Sequence, residues 1–150
     1  MKNFIGLLTF LILLTGCFST TLIVEPIPCD KFIDSKKNIE KVYMSQRPDR
    51  APASIEVTDE AIFLTKDESI YHNITGETTV HTKKTAIYFN KIEKLRVVDD
   101  NTKRTEIRFY YPASDMTHIV FLYDKDLAIE GYSAIKCMIE KAKKRNDGMY

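Results

Sequence analysis

The feature that most constrains this chain stands at its start. Met1-Lys2-Asn3 leads into the apolar run Phe4-Ile5-Gly6-Leu7-Leu8-Thr9-Phe10-Leu11-Ile12-Leu13-Leu14, and then into Thr15-Gly16-Cys17. Eleven residues are too few to cross a hydrocarbon layer about 30 Å thick, which takes roughly 20 helical residues. A short positive start, an apolar stretch of this length and small residues after it are the layout of a secretion signal. The fold is then built from residue 17 onward.

Within that layout, Leu14-Thr15-Gly16-Cys17 resembles the bacterial lipobox: an apolar residue, two small residues and the cysteine whose thiol accepts diacylglycerol. The resemblance implies a signal peptide at 1–16, removed before Cys17, and a lipoprotein held by acyl chains at the cell envelope. In that family an aspartate after the cysteine retains the protein at the inner membrane. Phe18 stands there instead, which implies the outer membrane, facing the periplasm, in a Gram-negative host. One acyl chain binds marginally, but at about 0.8 kcal/mol per buried CH₂ two or three hold firmly. An uncleaved anchor from Phe4 to Val24, or a plain signal cut nearby, is the competing reading.

Of the 22 basic residues only Lys2 falls within the first sixteen, which leaves 21 basic against 21 acidic and a formal charge of zero. A nucleic-acid binder needs a basic field, so nucleic acid is not an expected partner. Length and composition suit one domain.

The chain has three cysteines. With Cys17 acylated, as the lipobox resemblance implies, Cys29 and Cys137 remain as an even pair in an oxidising compartment. Between Lys125 and Arg145 the apolar residues Ala128, Tyr132, Ile135, Met138, Ile139 and Ala142 recur at the spacing of an amphipathic helix. At about 100° per residue, Cys137 falls opposite that stripe, among Glu130, Ser133, Glu140 and Lys144. An outward cysteine there points to a partner lying across the outside of the helix, and Cys29 can be that partner. Two free thiols, or a reactive Cys137, are the alternatives.

Residues 18–29, with Ser19-Thr20-Thr21, Pro26 and Pro28, read as a tether to which Leu22-Ile23-Val24 can add an edge strand. From Asp34 to Ser45 the pattern fits a short helix capped by Asp34 or Ser35, or a strand at Val42-Tyr43-Met44. The middle of the chain is β. Ile55 and Val57 alternate with polar residues, Ala61 to Thr65 and Ser69 to His72 are strand-like, and Thr75-Gly76-Glu77 turns. Thr79 to Phe89 comes next, with Lys83-Lys84 marking a turn or an exposed edge. Ile92 to Val98 and Thr105 to Tyr111 alternate, the latter with Ile107, Phe109 and Tyr111 on one face. His118 to Tyr123 reads as a strand buried on both faces. Asp124 or Asp126 opens the last helix, and Lys141, Lys143, Lys144 and Arg145 complement its C-terminal dipole. Gly131 lies on its buried edge, where it permits close approach to a sheet.

The expected class is α+β, a small antiparallel barrel or strongly bent sheet closed by one C-terminal amphipathic helix. Ala86 to Val98, Ile107-Arg108-Phe109-Tyr110-Tyr111 and Ile119-Val120-Phe121-Leu122-Tyr123 resemble consecutive passages of the pleckstrin-homology-like fold. The resemblance covers about residues 55–145. It departs from the family in having no tryptophan on the helix and no dense basic loop, so lipid head-group recognition is not implied. The expected organisation is a lipidated N-terminus and tether at 17–54, the β-rich domain at 55–145 and a tail at 146–150.

Nothing in the sequence has the spacing of a catalytic, metal or cofactor site. His72, His81 and His118 show no metal-binding pattern, and His81 and His118 read as strand residues on a wet face. Asp59-Glu60 and Asp99-Asp100 sit in turns, where solvated charge is the default. Tyr71, Tyr88 and Tyr110 are candidate interface residues on outward strand faces. The expectation is a non-catalytic envelope module that binds another envelope protein. The alternatives are a carrier or sensor of a small apolar ligand held against the helix, and a hydrolase with an unfamiliar site.

Overall fold

A computed structural model of the chain describes residues 20–31, 34–99, 103–112 and 118–148. The signal region, Cys17 and Phe18 lie outside the described residues. Helix α1 (Ser35–Met44) begins where the Asp34 carboxylate accepts a hydrogen bond from the Lys37 amide at 3.1 Å. That cap satisfies one of the free N–H groups of the first turn, and of the two sequence readings of this segment the helix is the one formed. Its inner face carries Ile39, Val42 and Tyr43, each 1% exposed or less. The long helix α2 (Lys125–Asp147) starts in the same way, with Asp124 accepting from the amides of Asp126 and Leu127 at 3.0 Å each.

Among the described residues, seven antiparallel strands form two sheets. The larger has the order β1-β5-β6-β7, from β1 (Thr20–Leu22), β5 (Lys94–Asp99), β6 (Thr105–Tyr110) and β7 (His118–Leu122). The smaller has the order β2-β3-β4, from β2 (Ser54–Val57), β3 (Ala61–His72) and β4 (Glu77–Tyr88). The class is therefore α+β with antiparallel sheets and a C-terminal helix. No closed barrel forms among the described residues. After Tyr88 the chain leaves the smaller sheet through a 3-10 turn, Phe89–Lys91, so β4 and β5 share no ladder.

The core joins both sheets and both helices through Ile62, Ile87, Ile107, Phe109, Val120, Leu122, Ala134, Ile135 and Met138, with the inner face of α1. The alternation in β6 holds for Ile107 and Phe109. β7 differs from its expectation: Val120 and Leu122 are buried while His118, Ile119 and Phe121 are only partly covered. It is an edge strand, so only the face turned to the core is closed.

The N-terminal segment is docked rather than loose. β1 pairs with β5, Thr20 opposite Asp99 and Leu22 opposite Val97. Residues 26–29 then cross the outside of α2. There the Ile27 amide donates to Ser133 Oγ at 3.0 Å, and the sulfurs of Cys29 and Cys137 stand at disulfide distance with Cα atoms 5.5 Å apart. Ser133 and Cys137 are 0% and 1% exposed. The outward face of the helix is thus the face that the segment covers. Closing a loop of this size contributes up to about 4.7 kcal/mol in the chain-entropy account.

Gly131 corrects one expectation. The close approach it permits is to α1, not to a sheet: a Cβ at this position would sit 2.5 Å from Val42 Cγ2. Val42 is fully buried and has no room to withdraw. Gly131→Ala gains helix propensity of about 1 kcal/mol but meets an overpacking cost of roughly 1–3 kcal/mol. Urea denaturation should show a net loss of stability. An unchanged or higher midpoint would mean that the two helices are not in this contact.

Candidate functional site

β3 and β4 are each 12 residues long, but β2 pairs only with the first part of β3, through Leu64 and Thr65. Beyond that point the two strands project as an arm. Gly76, at φ +71°, supplies the left-handed backbone that its turn requires. Ile70, Tyr71, Ile74 and Val80 are all strongly exposed on the arm. Among the described residues β4 is an edge strand, so every second residue along its length turns its backbone N–H and C=O outward from the sheet. Such an edge can accept another strand, and charged residues such as Lys83 and Lys84 are a common guard against unwanted pairing.

Alternation divides the arm into two faces. One carries Lys66, Glu68, Ile70, His72, Thr79, His81, Lys83 and Thr85, and continues the core positions Ile62, Leu64 and Ile87. The other carries Phe63, Tyr71, Val80 and Tyr88. At the base of the first face lies a cleft of about 300 Å³. One wall is the arm, through Leu64, Lys66, Glu68, Lys83 and Thr85. Another is the end of α1 with the segment after it, through Tyr43, Gln46, Arg50 and Pro52. β7 forms the third, through His118, Ile119 and Phe121. Gln46 ties two walls together, since its Oε1 accepts from the Phe121 amide at 3.1 Å and its Nε2 donates to the Tyr43 carbonyl.

Two polar atoms of residues lining this cleft are buried without a hydrogen-bond partner, Tyr43 Oη and His118 Nε2. Their rings stack with centroids 5.7 Å apart, and Phe109 meets the His118 ring edge-on at 5.3 Å. His118 is therefore not on a wet face as its sequence position implied, because its strand turns it inward with Val120 and Leu122. Burial holds its pKa down at about 4. Burial, and secondarily Tyr111, raises that of the Tyr43 hydroxyl. At neutral pH the site therefore contains an uncharged imidazole and a protonated phenol. The surrounding charges are Arg50, which stacks 3.9 Å from the Phe121 ring centre, Lys66, and Lys83 paired with Glu68 at 4.0 Å.

The three tyrosines read as an interface are not brought together. Tyr71 and Tyr88 share the outer face of the arm, but Tyr71 lies opposite Thr78, ten positions from Tyr88 along β4. At about 3.4 Å per residue they are roughly 34 Å apart. Tyr110 belongs to the other sheet and is half-buried beneath Arg96. His72 and His81 both approach Thr79 Oγ1, at 3.0 and 3.5 Å. No group of three metal-ligating side chains occurs among the described residues. Asp59 is not simply solvated: it bridges Lys36 of α1 at 2.9 Å and Arg145 of α2 at 3.4 Å, and Lys36 foremost lowers its pKa. Sequence reasoning missed the Tyr43–His118 pair. Its one visible signal was a histidine at the head of an apolar strand. The chain matches no protein-family model, no curated protein and no solved structure.

The lowered His118 pKa has a signed consequence. Below the ordinary value of 6.5 the unfolded chain takes up a proton that the folded protein refuses until about pH 4. Stability supplied by the neutral ring is complete above pH 6.5 and is lost as the pH falls to 4. A shift of this size corresponds to on the order of 3 kcal/mol. His118→Phe keeps the stacking and should flatten that part of the stability–pH curve. Parallel curves for the two proteins would show that His118 ionises freely in the fold.

Proposed function

We propose that this chain is a lipid-anchored lipoprotein of the bacterial cell envelope, with no catalytic role, that binds another envelope protein through the β3–β4 arm. The observation that carries the reading is the arm itself, with its exposed Ile70, Tyr71, Ile74 and Val80 and its open β4 edge. Apolar side chains beside unpaired backbone groups are what strand-addition partners use: the main chain gives affinity and alternate side chains give specificity. Two antiparallel sheets followed by a terminal helix are also the ingredients of a pleckstrin-homology-like domain. That is the finer fold we assign to residues 55–145.

The anchor rests on Leu14-Thr15-Gly16-Cys17, with Phe18 favouring the outer membrane. No helix among the described residues is long and apolar enough to cross a membrane. Cys17 precedes Thr20 by three residues, whose greatest reach is about 11 Å. Thr20 lies opposite Asp99, so acyl chains on Cys17 hold the β5–β6 end of the larger sheet close to the bilayer.

Two measurements test the two halves of this reading. Cys17→Ala should abolish fatty-acid labelling and release the protein from the membrane fraction; unchanged labelling refutes the anchor. A photo-crosslinking residue at Ile74 or Val80 should capture one discrete envelope protein in cells, while the same residue at Lys136 on α2 should not. Equal capture from both positions, or from neither, contradicts docking by the arm.

A further inference from the structure

The cleft at the base of the arm has properties that the docking reading does not use. Tyr43 Oη and His118 Nε2 are sealed from solvent without a partner. Each such atom costs a fold the desolvation of a polar group with nothing gained in return, and buried polar groups left this way are uncommon enough to require a reason. Here both belong to residues that line one cleft, just beneath its surface.

The charges facing the same space are also unbalanced. Lys66 and Lys83 are directly opposite each other on the inner face of the arm. Like charges at opposed positions destabilise a strand pair. Glu68 reaches Lys83 at 4.0 Å, and Lys66 has no ion pair among the described residues. With Arg50, the lining carries three cations and one carboxylate. The dipole of the α1 C-terminus is not presented bare, since the Tyr43 carbonyl already accepts from Gln46. A phenol donor and a surplus of positive charge both call for an oxyanion.

The size and lining narrow the oxyanion further. About 300 Å³ is at the small end of small-molecule pockets, ~300–1,000 Å³, too little for a fatty chain. Leu64, Pro52 and Phe121 give the cleft an apolar side. Among the described residues no helix N-terminus or glycine-rich loop contributes amides to it, as a phosphate site would use.

We infer that this cleft binds a small organic monocarboxylate with a short apolar body. Its carboxylate accepts hydrogen bonds from Tyr43 Oη and His118 Nε2–H beside Lys66, and its body lies on Leu64 and Pro52. Binding here depends on the cleft alone. It stands or fails independently of the anchor and of the partner on the arm.

The test titrates the folded, oxidised protein with butyrate, benzoate and 3-phenylpropionate, and with 3-phenylpropionamide as the neutral counterpart, monitored by NMR shifts. At least one acid should saturate with a Kd on the order of 1 mM, as expected of so small a ligand. It should shift the Tyr43 and His118 ring signals, and the amide should bind at least about tenfold more weakly, a difference of ~1.4 kcal/mol. Tyr43→Phe removes only the unpartnered hydroxyl, so the protein should remain folded yet lose about tenfold in affinity. Lys66→Gln, at an exposed position, should weaken binding several-fold and provides the same check if Tyr43→Phe fails to fold. No saturation by any acid, equal affinity for acid and amide, or binding indifferent to both substitutions would overturn the assignment.

Discussion

The structure depends first on how its N-terminal segment is fastened. Residues 26–29 cross the outer face of α2, where a hydrogen bond from Ile27 to Ser133 and the Cys29–Cys137 pair hold them. Without that segment Ser133 and Cys137 would be surface residues of an ordinary amphipathic helix; with it they are sealed. The same fastening keeps β1 beside β5, so the N-terminus enters the domain as an edge strand. On the proposal that Cys17 is lipidated, the anchor would act on a docked strand and not through a loose tether. α2 is covered on both sides, by the core within and by this segment without.

The second constraint is the division of the strands. Because β4 ends in a 3-10 turn and does not pair with β5, the two sheets stay open to each other on one side. The end of α1 partly fills that opening through Tyr43 and Gln46, and the remaining space is the cleft. The arm and the cleft are thus two results of one event: β3 and β4 continue past the short β2, and no third strand among the described residues pairs with their outer halves. A barrel would have used those backbone groups internally. Here the arm holds them available, with exposed Ile70, Tyr71, Ile74 and Val80 beside them.

Local patterns were legible in the sequence wherever one face of an element meets the core. The alternation of Ile107 and Phe109 and the stripe from Ala128 to Ala142 both survive as burial patterns. The outward position of Cys137, opposite that stripe, pointed to a covering segment, which the structure provides. What failed was partner identity. Gly131 is small for the sake of Val42, a residue nearly ninety positions away that no periodicity connects to it. His118 looked wet because its strand neighbours carry no sign that α1 lies over it. The cleft was invisible for the same reason, as its walls are tied by Gln46 and Phe121, 75 positions apart. Barrel closure was a matter of topology that no local pattern encodes, and the turn at Phe89–Lys91 decided it.

The docked N-terminal segment is tested most directly by amide hydrogen exchange at Ile27. In the oxidised protein its N–H bonds to the buried Ser133 Oγ, so it should be protected well beyond a free peptide. Reducing the Cys29–Cys137 bond should abolish that protection while the Ile107 amide in β6 stays slow. Exchange at Ile27 as fast as in an unstructured chain, with the disulfide intact, would mean that residues 20–31 are a free tether after all.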